Sequence, residues 1–273
     1  YLGGLHMAKP RTKWSVSTYE RYLRYLKEGR GQGEGVDYKP WLTIHSFASK
    51  GTVSRIPGRK TGRMHHLLSH NEEYYFYLLD FNPEVLDIRE QFPLKLADTL
   101  RIARELNIRH PRYPGCSFPA VMTTDFMITR SDGYHARTIK LKKELDNPRV
   151  VEKFLIEQEY WLQHGIDWAI VTEDQINRTK AENFRWLTSG RNPDEMIPDS
   201  SLRQYCIDKF LFLYLQKRLP FAFIIWHMEE NHHLESGTVM AIYKSLVLDG
   251  RIKVSFDAKI DPNHPTEAGN YEQ

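Results

Sequence analysis

Cysteine is nearly missing from this chain: Cys116 and Cys206 are the only two in 273 residues. Two distant thiols make neither a disulfide framework nor a zinc site, and they fit a reducing cytosol best. No stretch approaches the ~18 apolar residues of a membrane span, and no charged-then-apolar leader is present. A large excess of one charge is also lacking. Lys and Arg number 38 against 35 Asp and Glu, a formal charge of +3. That balance permits nucleic-acid contact without demanding it. Repeats and low-complexity tracts are absent. Tyr1 to His6, ahead of Met7, read as an expression-vector remnant and are set aside. What remains is long enough for one large or two modest domains.

The rest is organised around residues 121–143, VMTTDFMITRSDGYHARTIKLKK. Asp132-Gly133 is a strong turn signal between two alternating runs. A two-residue turn there pairs Ser131 with Tyr134, so that Asp125 faces Lys140 and Thr123 faces Lys142. Alternation puts Asp125, Lys140 and Lys142 on one face, and Phe126, Ile128, Ile139 and Leu141 on the other. Opposite charges across a hairpin are also ordinary sheet stabilisers, so an ion-paired hairpin and a chemical site both fit.

Upstream, Ser17 precedes a helical pattern with Tyr19, Tyr22, Leu23 and Leu26 inward and Gly29 as its stop. The glycine-rich 29–35 follows a helix, which speaks against a nucleotide loop. A flexible connection and a backbone lying against DNA or a partner both stay open. Ser69 and Glu72 have capping-box spacing and open a helix with Tyr75, Leu78 and Leu79 inward. His66 and His70 lie four apart but have no third ligand nearby, so surface histidines are the simpler reading. Residues 85–92 alternate as a strand, with Leu86, Ile88 and Phe92 on one face and Asp87, Arg89 and Gln91 on the other. After the hairpin, Pro148 opens a helix with Val151, Phe154, Leu155 and Trp161 as its buried stripe. Residues 168–172 are a continuous apolar run, expected as a strand buried on both faces. Strand, helix, strand at this spacing is a crossover, which sets 168–172 parallel to 139–142. The expected fold is therefore α/β: a mixed sheet flanked by helices over 7–189, with the hairpin near its middle.

Residues 190–200, GRNPDEMIPDS, read as a linker. Beyond them, 201–273 promise helices at 202–219, 221–228 and 239–248, then a strand at 252–256 and a loose polar tail from Asp261. Three helices and a strand describe a winged-helix-like unit that binds DNA or protein. Phe210, Phe212, Tyr214, Trp226 and Tyr243 are expected in its core.

Two carboxylates can hold a hard cation such as Mg²⁺ through oxygen. A nearby lysine can position a water and steady the charge on a phosphorane-like transition state. Asp125 supplies one carboxylate, and Glu72 is the candidate for the second. The usual arrangement has an acidic residue two places before the lysine. Here that place is Lys140, so a side-chain ligand is missing, although the Leu141 carbonyl can still coordinate.

Three long strings carry a resemblance: KEGRGQGEGVDYKPW (27–41), KTGRMHHLLS (60–69) followed by Glu72, and VLDIREQFPL (85–94). With 121–126 and 139–142, they make the chain similar to the TnsA family. These are the endonuclease subunits of heteromeric TnsA/TnsB (Tn7-like) transposases. The similarity covers most of 15–190; the C-terminal part matches only in general pattern. The resemblance implies a restriction-endonuclease-like catalytic domain and a C-terminal winged-helix-like domain. It implies hydrolysis of the non-transferred strands at the 5′ ends of a transposon, with Mg²⁺ as cofactor and Mn²⁺ as a substitute. The implied partners are double-stranded DNA at transposon ends, a TnsB-type DDE transposase that cuts and joins the 3′ ends, and a TnsC-type ATPase docking on the C-terminal domain. The implied location is the bacterial cytoplasm. Carried over residue by residue, the helix carboxylate is Glu72, the strand carboxylate Asp125 and the lysine Lys142, with the Leu141 carbonyl as a further metal ligand. The family's glutamine two places before the lysine is Lys140 here. Its additional acid ten residues past the helix glutamate is Asn82, which leaves Asp80 or Glu84 as stand-ins. Two other readings stay open: an autonomous restriction-type or homing nuclease, and a non-catalytic DNA-binding assembly subunit.

Overall fold

The computed structural model describes residues 13–46, 53–113 and 115–263. Residues 1–6 and the end of the polar tail lie outside the described residues. The chain divides into two compact units, with the boundary between Ile176 and Asn177.

The first unit is built on a four-stranded sheet in the order β3-β4-β5-β6. These strands are Val85–Pro93, Thr123–Arg130, Gly133–Ile139 and Asp167–Val171. The β4–β5 hairpin is central, as expected, and β6 runs parallel to β5. Helix α4 (Pro148–Gln163) makes the crossover between them. Edge position leaves β6 mostly half-buried, not buried on both faces. A separate two-stranded ribbon, β1 (Ser54–Pro57) and β2 (Met64–Leu67), precedes helix α2 (His70–Asp80).

Three helices cover the two faces of the sheet. On one, α3 (Leu96–Glu105) and α4 bury Ile102, Ile156, Tyr160 and Trp161 against Met127 and Ala136. On the other, Tyr75 of α2 packs on Phe126 with ring centroids 5.7 Å apart. The stripe that α4 buries is Ile156, Glu157, Tyr160 and Trp161. Val151 and Leu155, expected inside, are 39% and 44% exposed. Helix α1 (Lys13–Lys27) begins ahead of Ser17; Tyr19 and Tyr22 face inward as expected, and Tyr25 joins them in place of Leu23 and Leu26. Tyr19, Tyr22 and Tyr25 pack with Trp41 and Phe118, whereas Leu23 and Leu26 are largely exposed.

The hairpin register differs from the expected one. Arg130 pairs with Gly133 and Thr129 with Tyr134, so the turn is Ser131-Asp132. The shift is two residues, a full pleat, which keeps Met127 and Ala136 on the same core face. It also ends β5 at Ile139, so Lys140 and Lys142 lie beyond the ladder rather than opposite Asp125 and Thr123. In β3, Leu86 is exposed because the pairing with β4 slips between Val85 and Asp87.

The glycine-rich segment is not a flexible connection. Gly31 N donates to Lys39 O at 2.6 Å, and its φ is 78°. A Cβ at Gly31 would sit 2.1 Å from Pro93 Cγ, so only glycine lets this turn close on the end of β3.

The second unit is helical: α5 (Arg178–Leu187), α6 (Pro193–Met196), α7 (Ser200–Leu211), α8 (Phe221–Asn231) and α9 (Thr238–Leu248). A π-helical turn, Phe212–Gln216, ends the segment expected as one long helix. The stretch expected as a linker, 190–200, holds α6, with Pro193 and Ile197 buried. Its prolines mark a helix start instead of a free connection. Phe210, Tyr214, Phe221 and Tyr243 form an aromatic core. Trp226 and Phe212, expected there, are 60% and 39% exposed. Residues 252–256 form no strand among the described residues. That segment runs along α5 instead. Asn183 Nδ2 donates to the carbonyls of Phe256 and Ala258, and Phe256 packs on Phe184. The wing of the expected winged-helix unit is therefore missing from the described residues.

Candidate active site

Glu72 sits in the first turn of α2, where Ser69 caps the helix. The Ser69 hydroxyl accepts from Glu72 N at 3.2 Å and donates to Glu72 Oε1 at 2.9 Å. Leu68 N donates to Glu72 Oε2 at 3.0 Å. The cap is thus real, and it fixes the carboxylate of a nearly buried residue.

Asp125 lies in β4 across from Gln91 of β3, within a ladder that pairs Glu90 with Phe126 and Phe92 with Thr124. Alternation breaks at this point. Met127 packs toward α4 and Phe126 toward α2, as a strand requires. Thr124, three residues before Met127, should face α2, yet its hydroxyl contacts Glu157 and Trp161 of α4. Gln91 has φ 49°, a left-handed conformation uncommon outside glycine. The twist at Gln91 and Asp125 turns both side chains toward the N-terminus of α2. Gln91 Nε2 then donates to Glu72 Oε2 at 3.3 Å and to Asp125 Oδ1 at 3.2 Å. Thr123 Oγ1 donates to Gln91 Oε1 at 3.1 Å and fixes the amide's orientation. Ile139 N donates to Asp125 Oδ2 at 2.7 Å.

Two carboxylates therefore share one neutral donor in a largely dry setting. Burial and the neighbouring Asp125 push Glu72 up to about 8. Burial pushes Asp125 up to about 6, against the opposing effects of the Ile139 and Gln91 hydrogen bonds and the Lys140 charge. Both groups lean toward holding protons because burial disfavours their charged forms more than the hydrogen bonds and Lys140 favour them.

The sequence-derived site is only partly gathered. Glu72 and Asp125 meet. Lys140 is near enough to act on Asp125 electrostatically, though its ammonium pairs with Glu144 at 3.2 Å. Lys142 lies in a short 3₁₀ turn with its side chain 72% exposed and its Nζ 3.0 Å from Asp174. The two-residue register shift and the early end of β5 put it there. Asp80 is committed elsewhere: its carboxylate accepts from the backbone of Arg59 and Lys60. Glu84 pairs with Arg130.

Three residues of this region escape the sequence pattern. Gln91 looked like one polar position in an alternating strand, and only its backbone conformation gives it a role. Glu157 is buried in α4 and accepts from Thr124 and Thr138 at 2.5 and 2.6 Å. Burial raises it to about 7. It holds the residue next to Asp125 against the helix. Glu90, fully buried, takes a two-pronged ion pair from Arg63 and a contact from His65 Nδ1 at 2.8 Å. Those interactions overcome desolvation and hold it down to about 2. The RE of the string DIREQF and the R of KTGR were the available signals for that last pair.

No cluster of three His, Cys, Asp or Glu able to hold a metal occurs among the described residues. Two carboxylates with one amide donor between them still suit a small hard cation. Mg²⁺ uses one or two carboxylates, keeps water and takes its remaining oxygens from a phosphate. The donor set contains oxygen only, which disfavours zinc or copper.

Comparisons with known proteins bear on the family. A family model described as "TnsA-like endonuclease N terminal" matches residues 82–173, a stretch that contains Asp125, Lys140 and Lys142 but begins after Glu72. The "Transposon Tn7 transposition protein TnsA" of Escherichia coli is 46% identical over 186 residues, covering 67% of this chain. The alignment spans 66% of that relative's length, just short of two thirds. A mixed sheet with flanking helices, two carboxylates meeting at its end, and identity at this level over this length lead to one assignment: the chain belongs to the TnsA-like endonuclease family.

Proposed function

We propose that the chain is the metal-dependent DNA endonuclease subunit of a heteromeric transposase. It hydrolyses the non-transferred strands at the 5′ ends of a transposon during cut-and-paste transposition. The observation that carries this reading is the meeting of Glu72 and Asp125 around a single amide donor, in a chain 46% identical to the Tn7 protein TnsA. The catalytic unit is of the restriction-endonuclease-like kind.

Glu72 and Asp125 would hold Mg²⁺, or Mn²⁺ in its place, with the Leu141 carbonyl as a further oxygen. When bound, such a cation supplies positive charge at the scissile phosphate and acidifies water. Lys142 leaves Asp174, orients the attacking water and balances the charge growing on the phosphate. An exposed, solvent-screened ion pair of this kind is weak, so releasing it is cheap beside the gain at a charged phosphate.

The remaining partners are a TnsB-type transposase that cuts and joins the 3′ ends, and a TnsC-type ATPase that docks on the C-terminal unit. The exposed Phe223 and Trp226 of α8, 42% and 60% accessible with rings 5.7 Å apart, support a docking face there. Large exposed aromatics of this type are enriched where proteins associate.

The test is strand-resolved mapping of Mg²⁺-dependent cuts on a transposon-end duplex, using the chain assembled with its transposase partner. Wild type should cut the 5′ strands and Asp125→Ala should not, with assembly on DNA unchanged. Cutting by the isolated chain with its own sequence preference would favour an autonomous nuclease. Identical products from wild type and Asp125→Ala would leave only an assembly role.

A further inference from the structure

The end of the β4–β5 hairpin that carries Asp125 has two other segments attached to it. The loop feeding β4 is closed by an Arg112–Pro119 bridge and by Ala120 N donating to Pro111 O at 2.9 Å. Helix α4, which follows β5, carries Arg149 and Lys153 in its first turns. Together they line an open cavity of about 410 Å³, with Arg109, Arg112, Arg149 and Lys153 in its wall beside His110 and Tyr113.

This is a concentration of charge that folding alone does not explain. Arg149 is paired with Glu152 at 2.6 Å. Arg109, Arg112 and Lys153 have no acidic partner among the described residues. The whole chain carries only +3, so four cations around one cavity are a local excess. Like charges held this close repel one another, and a ligand anion relieves the repulsion. Guanidinium forks match phosphate oxygens in pairs, and a lysine adds a point charge.

We propose that this cavity grips the phosphodiester backbone of duplex DNA flanking the cut site, so that the strand runs past the end of the hairpin where Asp125 sits. The proposal rests on the DNA-cutting reading above and adds to it a separate anchoring site. A protein partner fits less well, because four cations and only one large ring, Tyr113, line the cavity, and charge of one sign suits a phosphate backbone better than a packed interface core. Backbone contacts of this kind fix position without reading sequence.

The test is duplex binding by the full chain, followed by fluorescence anisotropy across a salt series with Ca²⁺ present. The variant is R109A/R112A/K153A, and R104A/K217A/K259A is a control with the same loss of charge. Each lost phosphate contact should reduce the slope of log affinity against log salt by about 0.9. The cavity variant is expected to show a slope shallower by roughly 2 to 3 and at least tenfold weaker binding at low salt. The control should stay near wild type. Equal slopes for the cavity variant and wild type would overturn the proposal, even if the assembled complex still cuts DNA. So would competition by polyglutamate for wild type combined with an unchanged DNA slope, because the cavity would then be an acidic-peptide site. Failure of the wild-type complex to cut DNA would instead count against the underlying reading.

Discussion

Gln91 stands across the β3–β4 ladder from Asp125, with its Nε2 3.2 Å from Asp125 Oδ1 and 3.3 Å from Glu72 Oε2. One amide thus bridges the two acids. Gln91→Ala removes both donors and keeps an unfavourable φ. The metal-free protein should lose about 1–3 kcal/mol, the cost of leaving buried acceptors unsatisfied. Gln91→Gly should lose about 1 kcal/mol less than Gln91→Ala, because glycine accepts the left-handed backbone. Urea unfolding of the two variants without metal checks the order. Mg²⁺ should narrow the gap of both variants from wild type, since it replaces the missing positive partner.

Acid pairs held without a cation should make the metal-free protein less stable as pH rises. Glu72, pushed up to about 8, keeps its proton in the folded state after the unfolded chain has lost its own. Folding therefore binds protons between about pH 4.5 and 8, and stability falls across that window before levelling off. Chemical denaturation at pH 6 and pH 8 should show the loss, on the order of 1–3 kcal/mol. Glu72→Gln should reduce it, leaving the part that Glu157, raised to about 7, and Asp125, raised to about 6, carry in the same direction.

The Arg63–Glu90 pair makes the opposite prediction at low pH. Glu90, held down to about 2, stays ionised in the folded state when the unfolded chain takes up a proton. Its contribution is present above about pH 4.5 and is lost as pH falls toward 2. Arg63→Ala leaves a buried carboxylate without its partner and should cost about 3–5 kcal/mol at neutral pH. A thermal melt would register the loss, and a cost below about 1 kcal/mol would mean that the pair contributes little.

Lys142 and Lys140 can be separated by their variants. Lys142→Ala should reduce cutting by the assembled complex at least about 100-fold with DNA affinity nearly unchanged, as expected for a group acting on the transition state. Asp174→Asn frees Lys142 and should leave stability near that of wild type, because the pair is exposed and screened. Lys140→Gln restores the side chain usual at that position in the resemblance and should leave cutting in place. Rates measured at saturating Mg²⁺ decide among the three. A larger effect from Lys140 than from Lys142 would move the catalytic amine to the residue that already acts on Asp125.

The order of elements was open to reading because periodicity and turn residues are local. Ser69 and Glu72 announced α2, Pro148 announced α4, and strand–helix–strand spacing gave the parallel β6. The inward faces were harder to read. Tyr25 displaced Leu23 and Leu26 in α1, and Glu157 took a core position in α4, because burial depends on what the opposite layer presents. The Asp132-Gly133 signal was overruled by the sheet. The observed register lies two residues from the expected one, leaves every paired side chain on its expected face, and ends β5 at Ile139. Gln91 had no signal at all in composition. Its importance comes from a backbone twist that depends on both neighbouring strands.

The change of face within β4 has a mechanical consequence. Thr124 is fastened to α4 and Phe126 to α2, with Asp125 pinned between them. The carboxylate therefore has almost no travel of its own. A slight rotation of one helical layer over the other would act as torque on this single residue and swing its oxygens relative to Glu72. A protein that docked on either layer would hold a lever over the acid pair without ever touching it.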